Sequence, residues 1–144
     1  MNYKYELKLD FDFKPRSARK FGKEIADKLK FLTSFFGIKV IDVKVYETNK
    51  GLHLYISIYS SVELDDRDIV VLQLALGSDY KREIFNWLRV RSEQNFKHWN
   101  VLFRVKYKNG AVVSREEKTE LAKEIEYYIR KYIVLSNHIL EEYG

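Results

Sequence analysis

The 144-residue chain has no cysteine, which excludes a disulfide framework and any thiolate metal site. It has one proline and six glycines, so signals that break regular structure are few and each is informative. No run of about 18 apolar residues occurs, and no basic-then-apolar segment opens the chain. A soluble, unexported, cytoplasmic protein without a membrane partner is therefore expected.

What is present points to a packed globule. The chain is 46% hydrophobic and 15% aromatic, unlike disordered sequences, and its length suits one domain with one substantial core. That domain is expected over residues 1–144, with a core over 1–110 and a closing helix over 114–142. Richness in Lys, Glu, Ile and Tyr resembles intracellular proteins of hyperthermophiles, where charged networks replace thermolabile residues. The net charge of +5 suits a polyanionic partner such as nucleic acid, because each neutralised phosphate releases counterions.

Tyr3, Tyr5, Leu7, Leu9, Phe11 and Phe13 alternate with Lys4, Glu6, Lys8, Asp10, Asp12 and Lys14. Period two predicts a strand from Tyr3 to Lys14, one face apolar and one polar, ended by Pro15. Ser17 to Phe36 predicts a helix with Phe21, Ile25, Leu29 and Leu32 as its stripe and Gly37 as its stop. Ile38–Glu47 and Leu52–Tyr59 predict a hairpin around Thr48-Asn49-Lys50-Gly51. Two helices follow, over Asp65–Leu76 and from Ser78 or Asp79 to about Arg91. Ser92–Lys97 reads as a polar loop and Trp99–Lys108 as a fourth strand. The Asn109-Gly110 turn then leads to a helix over Ser114–Leu140, opened by a Ser114/Glu117 capping box.

This order predicts an α+β fold, a ferredoxin-like or RRM-like β-α-β-β-α-β antiparallel sheet with an additional C-terminal helix. The first and third strands would lie in the centre, with the fourth beside the first and the second beside the third. With the helices on the apolar face, the free face would gather Lys8, Asp10 and Asp12 beside His53, Tyr55, Ser57 and Tyr59. Arg104, Lys106 and Lys108 would border it on one side and Asp42 and Lys44 on the other. Acids, a histidine and aromatics within a basic frame suggest a phosphate-bearing ligand.

Asp10 and Asp12, two apart on one strand, can share divalent cations, whose hard charge requires carboxylate oxygens and which polarise phosphoryl groups. The plainer reading is a solvated strand face. His53 could bind phosphate, position a nucleotide or ligate a metal. The cluster from Gly77 to Glu83 with Arg89 and Arg91 could hold phosphate at a helix N-terminus, or be an ordinary exposed helix.

Leu7-Lys8-Leu9-Asp10-Phe11-Asp12 resembles the first motif of archaeo-eukaryotic primases, and Thr48-Asn49-Lys50-Gly51-Leu52-His53 is similar to their second. The resemblance covers residues 4–60. It implies an RRM-like palm and a primase-like DNA replication protein, from an archaeal mobile element or virus. It further implies Mg²⁺ or Mn²⁺ on Asp10 and Asp12, His53 on nucleotide phosphates, nucleic acid (DNA before RNA) along Lys8, Arg104 and Lys106, and other replication proteins as partners. The family's third carboxylate has no counterpart in Asn100–Lys106. The enzyme implied is thus a nucleotidyltransferase if active and catalytically degenerate otherwise.

Two alternatives use the same surface. A non-catalytic RRM-like module would stack single-stranded bases on Tyr55 and Tyr59 or dock a protein. A degenerate rolling-circle replication endonuclease would keep His53 of its histidine pair and use Tyr80.

Overall fold

The alternation at the start of the chain produces strand β1 (Tyr3–Phe11), and the predicted apolar stripe produces helix α1 (Ala18–Phe36). The computed structural model describes residues 2–92 and 98–143. After α1 come β2 (Ile38–Glu47), β3 (Leu52–Ser60), α2 (Asp66–Ala75), α3 (Tyr80–Arg91), β4 (Val105–Lys108), β5 (Ala111–Arg115) and α4 (Glu120–Tyr143). The fold is α+β, with a three-stranded antiparallel sheet in the order β1-β3-β2 and a separate two-stranded β4-β5 hairpin.

Leu52, Leu54, Ile56 and Ile58 of β3 are fully buried. They are flanked by Leu7 and Leu9 of β1 and by Val43 and Val45 of β2, also buried. Phe21, Ile25, Leu29 and Leu32 of α1 join this core. Ser17 caps α1 by accepting from the Lys20 N–H at 3.2 Å, and Gly37 ends it at φ 64°, a conformation that costs glycine little. Ala122, Ile125 and Ile129 bring α4 against α1. The two helices cross closely at Gly22, where a Cβ would lie 2.7 Å from that of Tyr128.

Both outer edges of the sheet are closed by side chains and loops, as exposed strand edges require. On β2, the Lys118 ammonium donates to the Val45 carbonyl at 2.6 Å and Arg130 to that of Val43 at 2.8 Å. Glu47 and Glu117 form a two-way bridge at the end of that edge. On β1, the Lys8 N–H donates to Gln73 Oε1 and the Asp10 N–H to Ser78 Oγ. The Lys8 carbonyl accepts from Arg82, and the Asp10 carbonyl from the Asp79 N–H at 2.6 Å.

Those bonds explain a correction. A fourth strand over Trp99–Lys108 was expected beside β1, but the corner between α2 and α3 occupies the hydrogen-bonding groups that such a strand would need. Only Val105–Lys108 is extended as a strand, and it pairs with β5. Asn109 and Gly110, both at positive φ (52° and 78°), form the tight turn between them in the manner of an Asn-Gly hairpin.

Two further boundaries move. Ser114 lies within β5 rather than opening the last helix, and α4 begins at Glu120 with the Thr119 hydroxyl accepting from the Ala122 N–H. Strand β1 stops at Phe11, because its partner β3 begins at Leu52, the residue opposite Phe11. Gly51 marks that limit: a Cβ there would sit 1.7 Å from the Phe11 carbonyl oxygen. The loop expected over Ser92–Lys97 falls, beyond Ser92, outside the described residues.

Candidate functional site

Asp10 of β1 stands directly opposite His53 of β3 in the sheet register, so their side chains share a face. The imidazole is 5% exposed, far from the open position expected for a polar-face residue. It is covered because Glu116, in the link from β5 to α4, reaches back over the sheet. Glu116 Oε1 lies 2.8 Å from His53 Nδ1 and also accepts from the Tyr55 hydroxyl. On the other side, His53 Nε2 lies 3.5 Å from Asp10 Oδ1. A single imidazole is thus held between two carboxylates.

This geometry governs protonation. Burial pushes the His53 pKa down, but the hydrogen bonds and charges of Asp10 and Glu116 outweigh it, and the net shift is upward. Tyr55 is shifted upward as well, first by burial and then by its bond to Glu116. The phenol stays protonated as a donor, and the imidazole is disposed to carry a proton on each nitrogen.

The Asp10–His53 pair forms the floor of a cavity of about 460 Å³, within the usual range for a small-molecule site. Arg89 of α3 and Lys106 of β4 contribute to its walls, together with the rings of Phe85 and Phe103. Arg82, also in the wall, donates to Lys8 O, Asn100 Oδ1 and Val101 O and pairs with Glu83. Its guanidinium is therefore a structural tie between β1, α3 and the segment at 100–101. On this floor His53 stands between the carboxyl groups of Asp10 and Glu116. The rim is positive.

The expected residues separate under this geometry. Asp10 and His53 are brought together, with Lys106 at the same cavity. Asp12 is not: it lies exposed in a bend beyond the end of β1, so the same-face pairing with Asp10 on a continuous strand fails. The residue that stands across the sheet from Asp10 is His53, at 3.5 Å. No cluster of three or more His, Cys, Asp or Glu side chains able to hold a metal occurs among the described residues.

Lys8 and Tyr55 form the next cross-strand pair, with Tyr55 half-buried against the Tyr46 ring at 5.8 Å. Tyr59 is exposed at the far end of β3, opposite Lys4. Arg104 borders the site through its backbone, its carbonyl accepting from the Glu116 N–H at 2.7 Å. The proposed helical cluster resolves into structure: Glu83 is 1% exposed and accepts from Ser78, Gln73 and Asn86. Helix α4 lies on α1 and β2, and no residue of its stretch up to 133 lines the cavity.

Glu116 was not found from the sequence, because Ser114–Glu117 reads as a capping box. The signal that reveals it is Asn109-Gly110 flanked by Val105 and Tyr107 on one side and Val112 and Val113 on the other, a hairpin pattern that places residue 116 beside the sheet. No helix among the described residues is long and apolar enough to cross a membrane. No family model, curated protein or solved structure matches this chain.

Proposed function

We propose that the protein binds nucleotide or single-stranded nucleic acid through the cavity over Asp10 and His53, as a primase-like replication protein in the cytoplasm. The observation that carries this reading is the pairing of Asp10 and His53, the latter backed by Glu116, in the floor of a cavity that Arg89 and Lys106 also line. A carboxylate beside basic side chains suits a phosphate ester that arrives with its own counter-cation. Phe85 and Phe103 offer ring faces on which a base can stack. On this proposal the sheet is an RRM-like one whose fourth position is taken by the α2–α3 corner.

The test is equilibrium binding of a fluorescent oligodeoxynucleotide, titrated with salt, to the wild type and to Arg89→Ala/Lys106→Ala. Each lost phosphate contact should weaken binding and lower the salt slope by about one. No binding, or affinity indifferent to salt, would refute the proposal. Nucleotidyl transfer with Mg²⁺ or Mn²⁺ is the second reading, favoured by the carboxylate of Asp10 at the floor of this cavity. A Mn²⁺-dependent rise in melting temperature that disappears in Asp10→Asn would support it, and no rise would remove it.

A further inference from the structure

Helix α3 is built inside out. Its buried residues are Glu83 and Asn86, both polar: Glu83 accepts from Gln73, Ser78 and Asn86. Apart from Val90, which packs against the core, its apolar residues point the other way: Ile84 and Leu88 are each 51% exposed, Phe85 is 61% exposed, and Tyr80 and Trp87 are exposed with them. Tyr80, Ile84, Trp87 and Leu88 follow helical spacing, so they form one continuous stripe. Val101 and Phe103 extend the apolar surface beyond the helix: Arg82 ties the Val101 carbonyl to α3, and both residues line the cavity that Phe85 also lines. A soluble chain does not ordinarily leave its bulkiest helix face in water while burying its polar one.

We infer that the outer face of α3 is a docking surface for a partner helix bearing apolar anchors flanked by acidic residues. The charges select this occupant. Lys81, Arg89 and Arg91 are the exposed charged side chains of α3, whereas its one acid, Glu83, is buried and fully bonded. Within α3 the exposed charges that frame the stripe are therefore cations. A second copy laid antiparallel along α3 would set Lys81 against Arg89 and Arg91 of its mate, a like-charge arrangement that opposes self-pairing. A flat anionic bilayer is a poorer fit than a single helix, because α2 starts within about 15 Å of the corner with Glu63, Asp65, Asp66 and Asp68 exposed. A helix with apolar residues at i, i+4 and i+7 and Asp or Glu beside them meets both the stripe and its frame.

The docking surface adjoins the proposed nucleotide site at Phe85, Arg89, Val101 and Phe103, but Ile84, Trp87 and Leu88 do not line the cavity over His53 and so test the docking surface separately. The experiment is selection from a displayed library of random helical peptides against the intact chain. Binding of the enriched peptides is then followed by Trp87 fluorescence for the wild type and for Ile84→Gln/Leu88→Gln. Enriched sequences should carry apolar residues at helical spacing with acidic flanks, and the double variant should weaken them at least about tenfold while leaving oligonucleotide binding unchanged. Enrichment of basic or unpatterned peptides would overturn the inference, as would equal affinity for the variant. Concentration-dependent dimerisation lost in the variant, or binding to phosphatidylserine vesicles with no peptide selected, would equally overturn it in favour of those occupants.

Discussion

The two halves of this molecule are stabilised in opposite ways. Around β3 the apolar residues point inward, with Leu54, Ile56 and Ile58 fully buried against both neighbouring strands and α1. At the α2–α3 corner the buried residues include Gln73, Ser78, Glu83 and Asn86, while Ile84, Phe85 and Leu88 lie outside. The first half rests on removal of apolar area from water, distributed over many contacts. The second rests on a polar network in which nearly every member serves two or three others. Such networks hold firmly when satisfied and fail badly when one member is lost.

The sharpest test of that contrast is Glu83→Ala. Its carboxylate accepts from Ser78 Oγ at 2.7 Å and Gln73 Nε2 at 2.8 Å and pairs with Arg82. Removal leaves the largely buried Arg82 charge without its counter-ion and takes an acceptor from Ser78, Gln73 and Asn86, so a loss of about 3–5 kcal/mol is expected in chemical denaturation. Since Gln73, Ser78 and Arg82 also close the edge of β1, hydrogen exchange at Lys8 and Asp10 should accelerate with it. Ile56→Val, in the apolar half, removes one methylene from a fully buried side chain and should cost only about 0.5–1.5 kcal/mol. Similar losses for the two variants would abolish the distinction.

The same contrast explains what the sequence made legible. Strands with strict alternation and helix α1 with a regular apolar stripe could be read, because burial there follows the period of the backbone. The corner could not, because its inward residues are polar and no hydropathy pattern marks them. Consequently the segment at Trp99–Lys108, which alternates well, was assigned to a sheet edge that Gln73, Ser78, Asp79 and Arg82 already occupy. In the site, Asp10 and His53 followed from alternation plus pairing. Glu116 did not, because its role depends on the β4–β5 hairpin returning residue 116 over β3. Asp12 was misplaced for a related reason: alternation continues in sequence beyond the point where the partner strand ends.

Between the halves sits His53, and its protonation joins them electrostatically to the link that carries Glu116. Its pKa in the folded protein lies above its ordinary value of about 6.5, so folding takes up protons near neutrality. The resulting stabilisation is complete below about pH 6.5 and fades as pH rises through the higher folded value. Melting temperature should therefore decline across that window for the wild type and stay level for His53→Asn. In Glu116→Gln the histidine keeps only Asp10 as an anionic neighbour, and its titration followed by NMR should move downward. A wild-type histidine titrating below its ordinary value would contradict the arrangement.

The smallest expected effect is the most telling about α3. Replacing two large aliphatic residues by glutamine usually costs several kcal/mol when they are buried. In Ile84→Gln/Leu88→Gln both side chains already stand in water in the isolated chain, and glutamine is a good helix former. Stability should then change by no more than about 0.5 kcal/mol, and solubility should rise as the apolar patch shrinks. A large loss would mean that the stripe packs within this chain and that α3 is oriented like the helices over the core. An unchanged melting curve places the value of those residues outside the fold, where only a partner can use them.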